Sequence, residues 1–76
     1  MYKPNPILLN LGYCPAADVA RALNKSVSTI HRMVANGRIV GQRDGRALYI
    51  SLNSLVSYYH DSPALVLAIR KLADVA

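Results

Sequence analysis

The chain has 76 residues, of which nine are Lys or Arg and four are Asp, and its net charge is +5 at neutral pH. Its length allows one domain without a deep catalytic cleft, and its hydrophobic content of 53% argues against a disordered protein. The longest apolar run, residues 64 to 69, is far shorter than the roughly 18 residues of a membrane span, and the N-terminus lacks a signal-peptide pattern. We therefore expect a cytoplasmic protein that does not enter a membrane.

The positive charge is concentrated in one central part of the chain. Six of the nine basic residues lie between residues 21 and 46, where Asp44 is the only acid, and the rest of the chain is balanced in charge. Such a patch is typical of a surface that binds a polyanion. The alternative is a solvated charged surface that only keeps a small protein in solution.

The chain contains one cysteine, Cys14, and two histidines. An internal disulfide is therefore excluded, and these side chains are too few for a structural zinc site. The sequence also has no paired carboxylates, no nucleophile beside a base and no glycine-rich phosphate loop. It thus predicts no enzyme, no metal, no cofactor and no small-molecule ligand.

Residues 1 to 12 contain two prolines, two asparagines and a glycine. This composition predicts an extended N-terminal arm that is not a helix of its own. The apolar side chains expected to pack this arm on the domain are Ile7, Leu8, Leu9 and Leu11.

Two short helices joined by a tight turn are predicted next. Pro15 suits the first position of a helix, and apolar residues at helical spacing extend that helix to Leu23. Asn24 tolerates the left-handed conformation that allows one helix to stop and another to begin. Ser26 is a good N-cap for the second helix, and Gly37 is a good terminator. The buried face of this second helix is expected to contain Ile30, Met33 and Val34.

Residues 39 to 50 predict a β-hairpin. The dipeptide Asp44-Gly45 is strongly preferred in the two-residue type I′ turn. That turn would place Arg43 opposite Arg46, with both arginines near the tip. The core side of the hairpin would contain Ile39, Gly41, Leu48 and Ile50, and the other, partly exposed side would contain Val40, Gln42, Ala47 and Tyr49.

Two further helices complete the chain. Ser51 or Asn53 caps the third helix, and Ser62-Pro63 predicts the start of a last helix that extends to Val75. The apolar stripe of this last helix spans about 200°, which is wider than a helix needs to cover its own core. The helix therefore either folds back over the core or binds a second copy of the chain. The candidates for self-association are Leu65, Leu67, Ile69 and Leu72.

Two helices with a tight turn, followed by a hairpin with arginines at its tip, form the plan of a winged helix-turn-helix. The predicted fold is therefore mainly α with a small β-hairpin, extended by a C-terminal helix. In such a fold the second helix enters the major groove of double-stranded DNA, and the hairpin, or wing, lies over the adjacent backbone or minor groove. The predicted DNA-binding residues are Ser28, Thr29, His31 and Arg32 on the helix, Arg43 and Arg46 on the wing, and Arg21, Lys25 and Arg38 as phosphate anchors.

Residues 13 to 59 resemble the short winged helix-turn-helix domain of the mercury-resistance-regulator (MerR) superfamily and of phage excisionases, also called recombination directionality factors. The residues that carry the resemblance are Val19-Ala20 and Leu23 in the first helix, Ser26 to Val34 in the second helix, Asn36 to Ile39 after that helix, Arg43 to Arg46 in the wing, and Ile50, Leu55 and Tyr58 after the wing. The chain departs from the family pattern at Asn24-Lys25, where a glycine and an aliphatic residue are common, and at Val27, where a basic residue is frequent.

The resemblance implies a DNA-binding protein without enzymatic activity. Small members of the family act as excisionases, which bind repeated sites, bend DNA and direct an integrase towards excision, often repressing a promoter as well. We expect the arm over residues 1–12, the winged helix-turn-helix over 13–60, and over 61–76 a C-terminal helix for packing or self-association. A homo-oligomer, as a dimer or as several copies along DNA, and an integrase are the expected partners.

Two other functions fit the same sequence. A small dimeric MerR-like transcriptional repressor would use the same DNA-binding surface. A protein–protein adaptor would bind its partner through the C-terminal stripe and the N-terminal arm, and its basic face would be incidental.

Overall fold

The structure of the chain, a computed structural model, describes residues 5 to 74. Residues 1 to 4 of the predicted arm and Val75 of the predicted last helix lie outside the described residues. The elements in chain order are α1 (Pro6–Asn10), β1 (Tyr13–Pro15), α2 (Ala16–Leu23), α3 (Val27–Ala35), β2 (Gly41–Asp44), β3 (Ala47–Ser51), α4 (Leu52–Tyr58) and α5 (Pro63–Asp74). This mainly helical fold with a small antiparallel sheet confirms the predicted winged helix-turn-helix class.

The prediction of a non-helical N-terminal arm is wrong for residues 6 to 10. Asn5 caps α1, because its side-chain oxygen accepts a hydrogen bond from the backbone N–H of Ile7 at 2.9 Å. Pro6 occupies the first turn, where its missing N–H costs nothing. The backbone N–H of Asn5 donates to the hydroxyl of Tyr49 at 2.7 Å, which attaches α1 to the sheet.

The sheet contains one strand that the sequence patterns did not predict. The strand order in the sheet is β1-β3-β2, and β3 pairs antiparallel with both of its neighbours. Tyr13 lies opposite Ser51 and Pro15 opposite Tyr49, so β1 ends on the proline that was expected to begin the first helix. A strand of three residues is too short to show an alternating pattern.

The helix-turn-helix follows the predicted caps. Asn24 has φ of 56° and ψ of 46°, the left-handed conformation that ends α2. The side-chain oxygen of Ser26 accepts from the backbone N–H of Thr29 at 3.1 Å and so caps α3. Gly37 has φ of +74° after the last turn of α3. Local backbone chemistry therefore fixes the position of α3 along the chain.

The hairpin forms with a different turn from the predicted one. Asp44 pairs with Ala47, so the two loop residues are Gly45 and Arg46. Gly45 has a φ of +63° and Arg46 does not have a positive φ. A positive φ at the first loop position alone is typical of a type II′ turn. The prediction that Arg43 opposes Arg46 is therefore wrong.

The change of register is two residues, so it leaves every side chain on its predicted face of the hairpin. Arg43 lies opposite Leu48, and Gly41 lies opposite Ile50. Leu48 and Ile50 are buried in the core as expected. Tyr49, which was expected on a partly exposed face, is only 1% exposed. Its side of the sheet carries the hydrogen bond to Asn5.

The last helix folds back over the core, where α5 packs against α2 and α4. Ile69 is 1% exposed and belongs to the same hydrophobic cluster as Val19 and Leu55. This burial corrects the assignment of Ile69 to a self-association surface, because the side chain is enclosed within its own chain. Leu65 and Leu72 are partly buried against the cluster. The exposed fraction of Leu67 is 56%.

Among residues 5 to 74, no helix combines the length and the apolar character that crossing a membrane requires.

Candidate nucleic-acid interface

The outer face of α3 is polar and accessible. Ile30 and Met33 face the core, at 0% and 8% exposure. Ser28 and Arg32 are exposed and are separated by one helical turn, so they lie on one side of α3, away from the core. The structure thus places these two predicted contact residues where a ligand can reach them.

A groove lies between α3 and the wing. We call it the wing-side groove; its volume is about 280 Å³, and residues that line it include Ala16, Ala17, Val27, His31, Arg46 and Ala47. His31 and Arg46, which are distant in the sequence, therefore border one surface. Arg21 lies one turn after Ala17 on the same side of α2. The groove joins the start of α2, the first turns of α3 and the hairpin tip.

The glycine at the base of the wing allows β2 to lie close to α3. A β-carbon at Gly41 would be 3.0 Å from Cγ1 of Val34 and 3.1 Å from Cδ1 of Leu48. Both distances are shorter than ordinary carbon–carbon contacts of about 3.5–4.0 Å. The missing side chain of Gly41 therefore sets the close packing between the wing and α3.

The two wing arginines occupy different positions. Arg46 is in the loop and borders the wing-side groove, whereas Arg43 is on β2 and does not line that groove. Both side chains are exposed. Within residues 5 to 74, neither of them forms an ion pair. The neighbouring Asp44 instead accepts a hydrogen bond from the side chain of Asn5 at 3.0 Å. The positive charge of the wing is therefore not neutralised by contacts among the described residues.

Two of the predicted contact residues have partners inside the chain. The hydroxyl of Thr29 lies 2.8 Å from that of Ser26, so it takes part in the N-cap of α3. Arg21 pairs with Asp18 at 3.3 Å, and both side chains are substantially exposed. An exposed ion pair of this kind contributes little free energy, so it leaves Arg21 able to exchange Asp18 for a phosphate.

A second concave surface lies on the other side of α3, and sequence reasoning missed it. We call it the tyrosine pocket; its volume is about 380 Å³, and residues that line it include Lys25, Arg32, Asn36, Arg38, Tyr58 and Tyr59. The guanidinium of Arg38 donates to the hydroxyl of Tyr58 at 3.0 Å. The two residues are 20 positions apart, and no local pattern relates them.

The two tyrosines of this pocket are packed together. Their ring centroids are 4.9 Å apart and their planes meet at 86°, which is an edge-to-face arrangement. The hydroxyl of Tyr59 points to the sulfur of Met33 at 3.8 Å. Burial, with a contribution from Tyr58, raises the pKa of Tyr59 above its ordinary value.

The thiol of Cys14 is buried among the core residues. Burial, with a smaller contribution from the carboxylate of Asp18, raises the pKa of the Cys14 thiol to about 11. Such a thiol is protonated at neutral pH and is a poor nucleophile. Across the described part of the chain, no three His, Cys, Asp or Glu side chains come together as metal ligands.

The comparison with known protein families matches the part of the chain that contains this interface. Residues 16–61 match a family model described as a helix-turn-helix domain. The match begins at α2, includes α3 and the wing, and ends after α4. No curated protein and no solved structure matches the chain. Because the match spans more than half of its residues, the chain belongs to the helix-turn-helix domain family, which is found in excisionase-like and DNA-binding proteins.

Proposed function

We propose that this helix-turn-helix protein is a sequence-specific DNA-binding protein of the excisionase type, which bends DNA and directs an integrase towards excision. The observation that supports the proposal best is the wing-side groove, where His31 of α3 and Arg46 of the wing border one surface. Six of the nine basic residues lie between residues 21 and 46, the segment that contains the end of α2, α3, the wing and the turns between them. Membership of the helix-turn-helix domain family supports DNA binding, and the resemblance of residues 13 to 59 to phage excisionases motivates the specific role.

In the proposed complex, α3 lies in the major groove. Ser28 and Arg32 project from its outer face towards the base edges, where Arg32 can form a bidentate pair with guanine. Ser28 is in the first turn of α3, where donors to phosphate and base edges are concentrated. Val27 is 44% exposed and can contact a thymine methyl group.

The wing lies over the neighbouring backbone or minor groove. Arg46 in the loop is placed to enter a narrow minor groove, which attracts arginine through its negative potential. Arg43 lies on β2 beside the loop and is placed to contact the backbone. Arg21 and Lys25, at the end of α2 and in the turn, supply further phosphate contacts.

Several copies would bind along one DNA segment. A module of this size gains affinity when adjacent copies bind together, because the second binding event becomes intramolecular. Leu67, which is 56% exposed on the outer face of α5, is the proposed contact between copies. A row of bound copies would bend the DNA and assemble the integrase.

The first experiment tests DNA recognition. Selection from a random duplex pool should recover a specific site, and binding should weaken by about a thousandfold between low and physiological salt if about six phosphates are contacted. Arg32→Ala should reduce affinity for that site about tenfold or more. Arg70→Ala, which removes an exposed arginine of α5, is the matched control and should change affinity less than twofold. Recovery of no site with a flat salt response would favour the protein–protein adaptor.

The second experiment separates the excisionase from the repressor. The protein is added to purified integrase from the same genetic element, with DNA that carries the selected site. The excisionase is expected to bend this DNA in a gel-shift assay and to stimulate excision. Specific binding without bending and without stimulation would overturn the excisionase role and assign the chain to the repressors.

A further inference from the structure

The proposed DNA contacts use Lys25 and Arg32. They leave the rest of the tyrosine pocket, including Arg38 and Tyr58, without an assigned ligand. Three cationic side chains line it, those of Lys25, Arg32 and Arg38, and no acidic side chain of the described residues does. Clustered cations without a neutralising carboxylate attract an anion.

The hydroxyl of Tyr58 has a proton available for such an anion. It accepts a hydrogen bond from Arg38 at 3.0 Å, and within the described chain it has no acceptor of its own. A phenolic hydroxyl that accepts one hydrogen bond still donates another. Tyr58 is 40% exposed, and its edge-to-face contact with Tyr59 restricts its ring. The pocket therefore presents an oriented hydroxyl donor beside a guanidinium, with the Asn36 amide nearby.

The position of the pocket relative to α3 indicates which anion it meets. His31 lines the wing-side groove, whereas Thr29 and Arg32 line the tyrosine pocket, so the two surfaces lie on opposite flanks of α3. A helix with its side chains is about 10–12 Å wide, and the major groove is about 12 Å wide. A helix in that groove therefore has a row of phosphates along each flank. The wing meets one row, and the pocket faces the other.

We propose that the tyrosine pocket binds a backbone phosphate of the DNA, on the side of the major groove away from the wing, through the Tyr58 hydroxyl and the Arg38 guanidinium. The inference rests on the proposed DNA binding and adds Tyr58 to the binding surface. Hydroxyl and guanidinium groups are common donors in phosphate contacts. An acidic segment of a partner protein is the competing occupant.

Two adjacent tyrosines provide a matched test. Tyr58→Phe removes the hydroxyl that faces the pocket, and Tyr59→Phe removes the one that points to Met33. Tyr58→Phe should weaken binding to a short mixed-sequence duplex about 3- to 10-fold, through the loss of one charge-assisted hydrogen bond. The salt dependence should stay unchanged because no charge is lost. Tyr59→Phe should bind within twofold of wild type.

Arg38, the charged partner of Tyr58, should affect the salt dependence of binding as well as the affinity. Arg38→Ala should weaken binding and also reduce the slope of log affinity against log salt by about 0.9, the value of one phosphate contact. Thermal melting of each variant establishes that it is folded. On the site recovered by selection, phosphate-ethylation interference should disappear on one side of the groove in Tyr58→Phe and on the other side in Arg46→Ala.

The outcomes distinguish this inference from the proposed function. If wild type binds no duplex, the proposed function fails and this inference fails with it. If wild type binds DNA and Arg32→Ala is impaired, but Tyr58→Phe and Arg38→Ala bind like wild type, only the pocket assignment is overturned. Binding of a polyglutamate peptide that requires Tyr58 and Arg38, with unchanged duplex binding, would also overturn it in favour of an acidic protein partner.

Discussion

The helices at the two ends of the described chain are held by different forces. α5 buries Ile69 against the core, at 1% exposure. None of the residues of α1, all of which the structure describes, is buried. α1 is instead attached through Asn5, which forms hydrogen bonds with Tyr49 and Asp44. Burial of one aliphatic side chain contributes about 1.5–3 kcal/mol, and a hydrogen bond contributes about 0.5–1.5 kcal/mol. The difference indicates that α5 contributes more to the stability of the fold than α1 does, whereas Asn5, the residue that caps α1, is bonded to Asp44 at the end of β2.

The largest expected effect tests the burial of α5. Ile69→Ala should lower the free energy of unfolding by about 3–4 kcal/mol, because it removes a fully buried side chain and leaves a cavity. Leu67→Ala on the exposed face of the same helix is the control and should cost less than about 0.5 kcal/mol. Urea denaturation measures both. Equal small losses would show that α5 is not part of the cooperative unit.

A second test addresses the strand that connects α1 to the core. Burial raises the pKa of Cys14 from 9.0 to about 11, so the unfolded chain loses this proton at lower pH than the folded chain. The contribution to stability is therefore complete below pH 9 and is lost as the pH rises through 11. Its size is about 2–3 kcal/mol.

The measurement is the difference between wild type and Cys14→Ala, because other groups titrate in the same range. The difference in unfolding free energy should shrink as the pH rises from 9 to 11. A constant difference would mean that β1 opens to solvent, and that the N-terminal segment does not cover the thiol.

A smaller effect is expected at Asn5, and it should appear in DNA binding as well as in stability. Asn5→Ala removes the cap of α1 and the hydrogen bond to Asp44, at a cost of about 1 kcal/mol. Asn5→Asp retains an N-cap but places a negative charge beside Asp44, so it should disturb the wing without uncapping α1. We expect both variants to bind duplex DNA about threefold more weakly. Asn10→Ala is the control within α1, and weakening by Asn10→Ala alone would contradict the link between Asn5 and the wing.

The smallest effect on stability is expected at the exposed side of α5. Leu67→Lys should change the free energy of unfolding by less than about 0.5 kcal/mol, yet it should reduce self-association in analytical ultracentrifugation. Ala73→Lys adds the same charge at another exposed position of α5. Identical sedimentation of wild type and both variants as monomers would remove the proposed contact between copies.

Local rules predicted most of the fold. The left-handed Asn24, the N-cap Ser26 and the terminating Gly37 act through their own backbone, so the helix-turn-helix is readable from neighbouring residues. Asn5-Pro6, a capping residue followed by proline like Ser62-Pro63, is a helix-start signal at the start of α1. The prolines, asparagines and glycine of residues 1 to 12 nevertheless favour an extended arm. A helix of five residues is too short to show the periodicity that would oppose that interpretation.

The features that the sequence did not reveal depend on contacts between distant residues. The hairpin register differs because either Asp44-Gly45 or Gly45-Arg46 can form a two-residue turn, and β3 also pairs with β1 on its other edge. The tyrosine pocket exists because α4 brings Tyr58 against Arg38. The candidate contacts on α3 and on the wing were predictable one by one, but their division between two flanks of α3 was not.

The space that Gly41 leaves beside α3 also has a consequence for engineering. In the proposed complex, α3 and the wing lie on adjacent DNA grooves. If the outer residues of α3 are replaced to change the preferred base sequence, the separation between α3 and the wing must therefore stay fixed. That separation depends on a single absent methyl group between β2 and Val34. Gly41 is therefore the position to preserve in a library of redesigned specificities, although it has no side chain that could read a base.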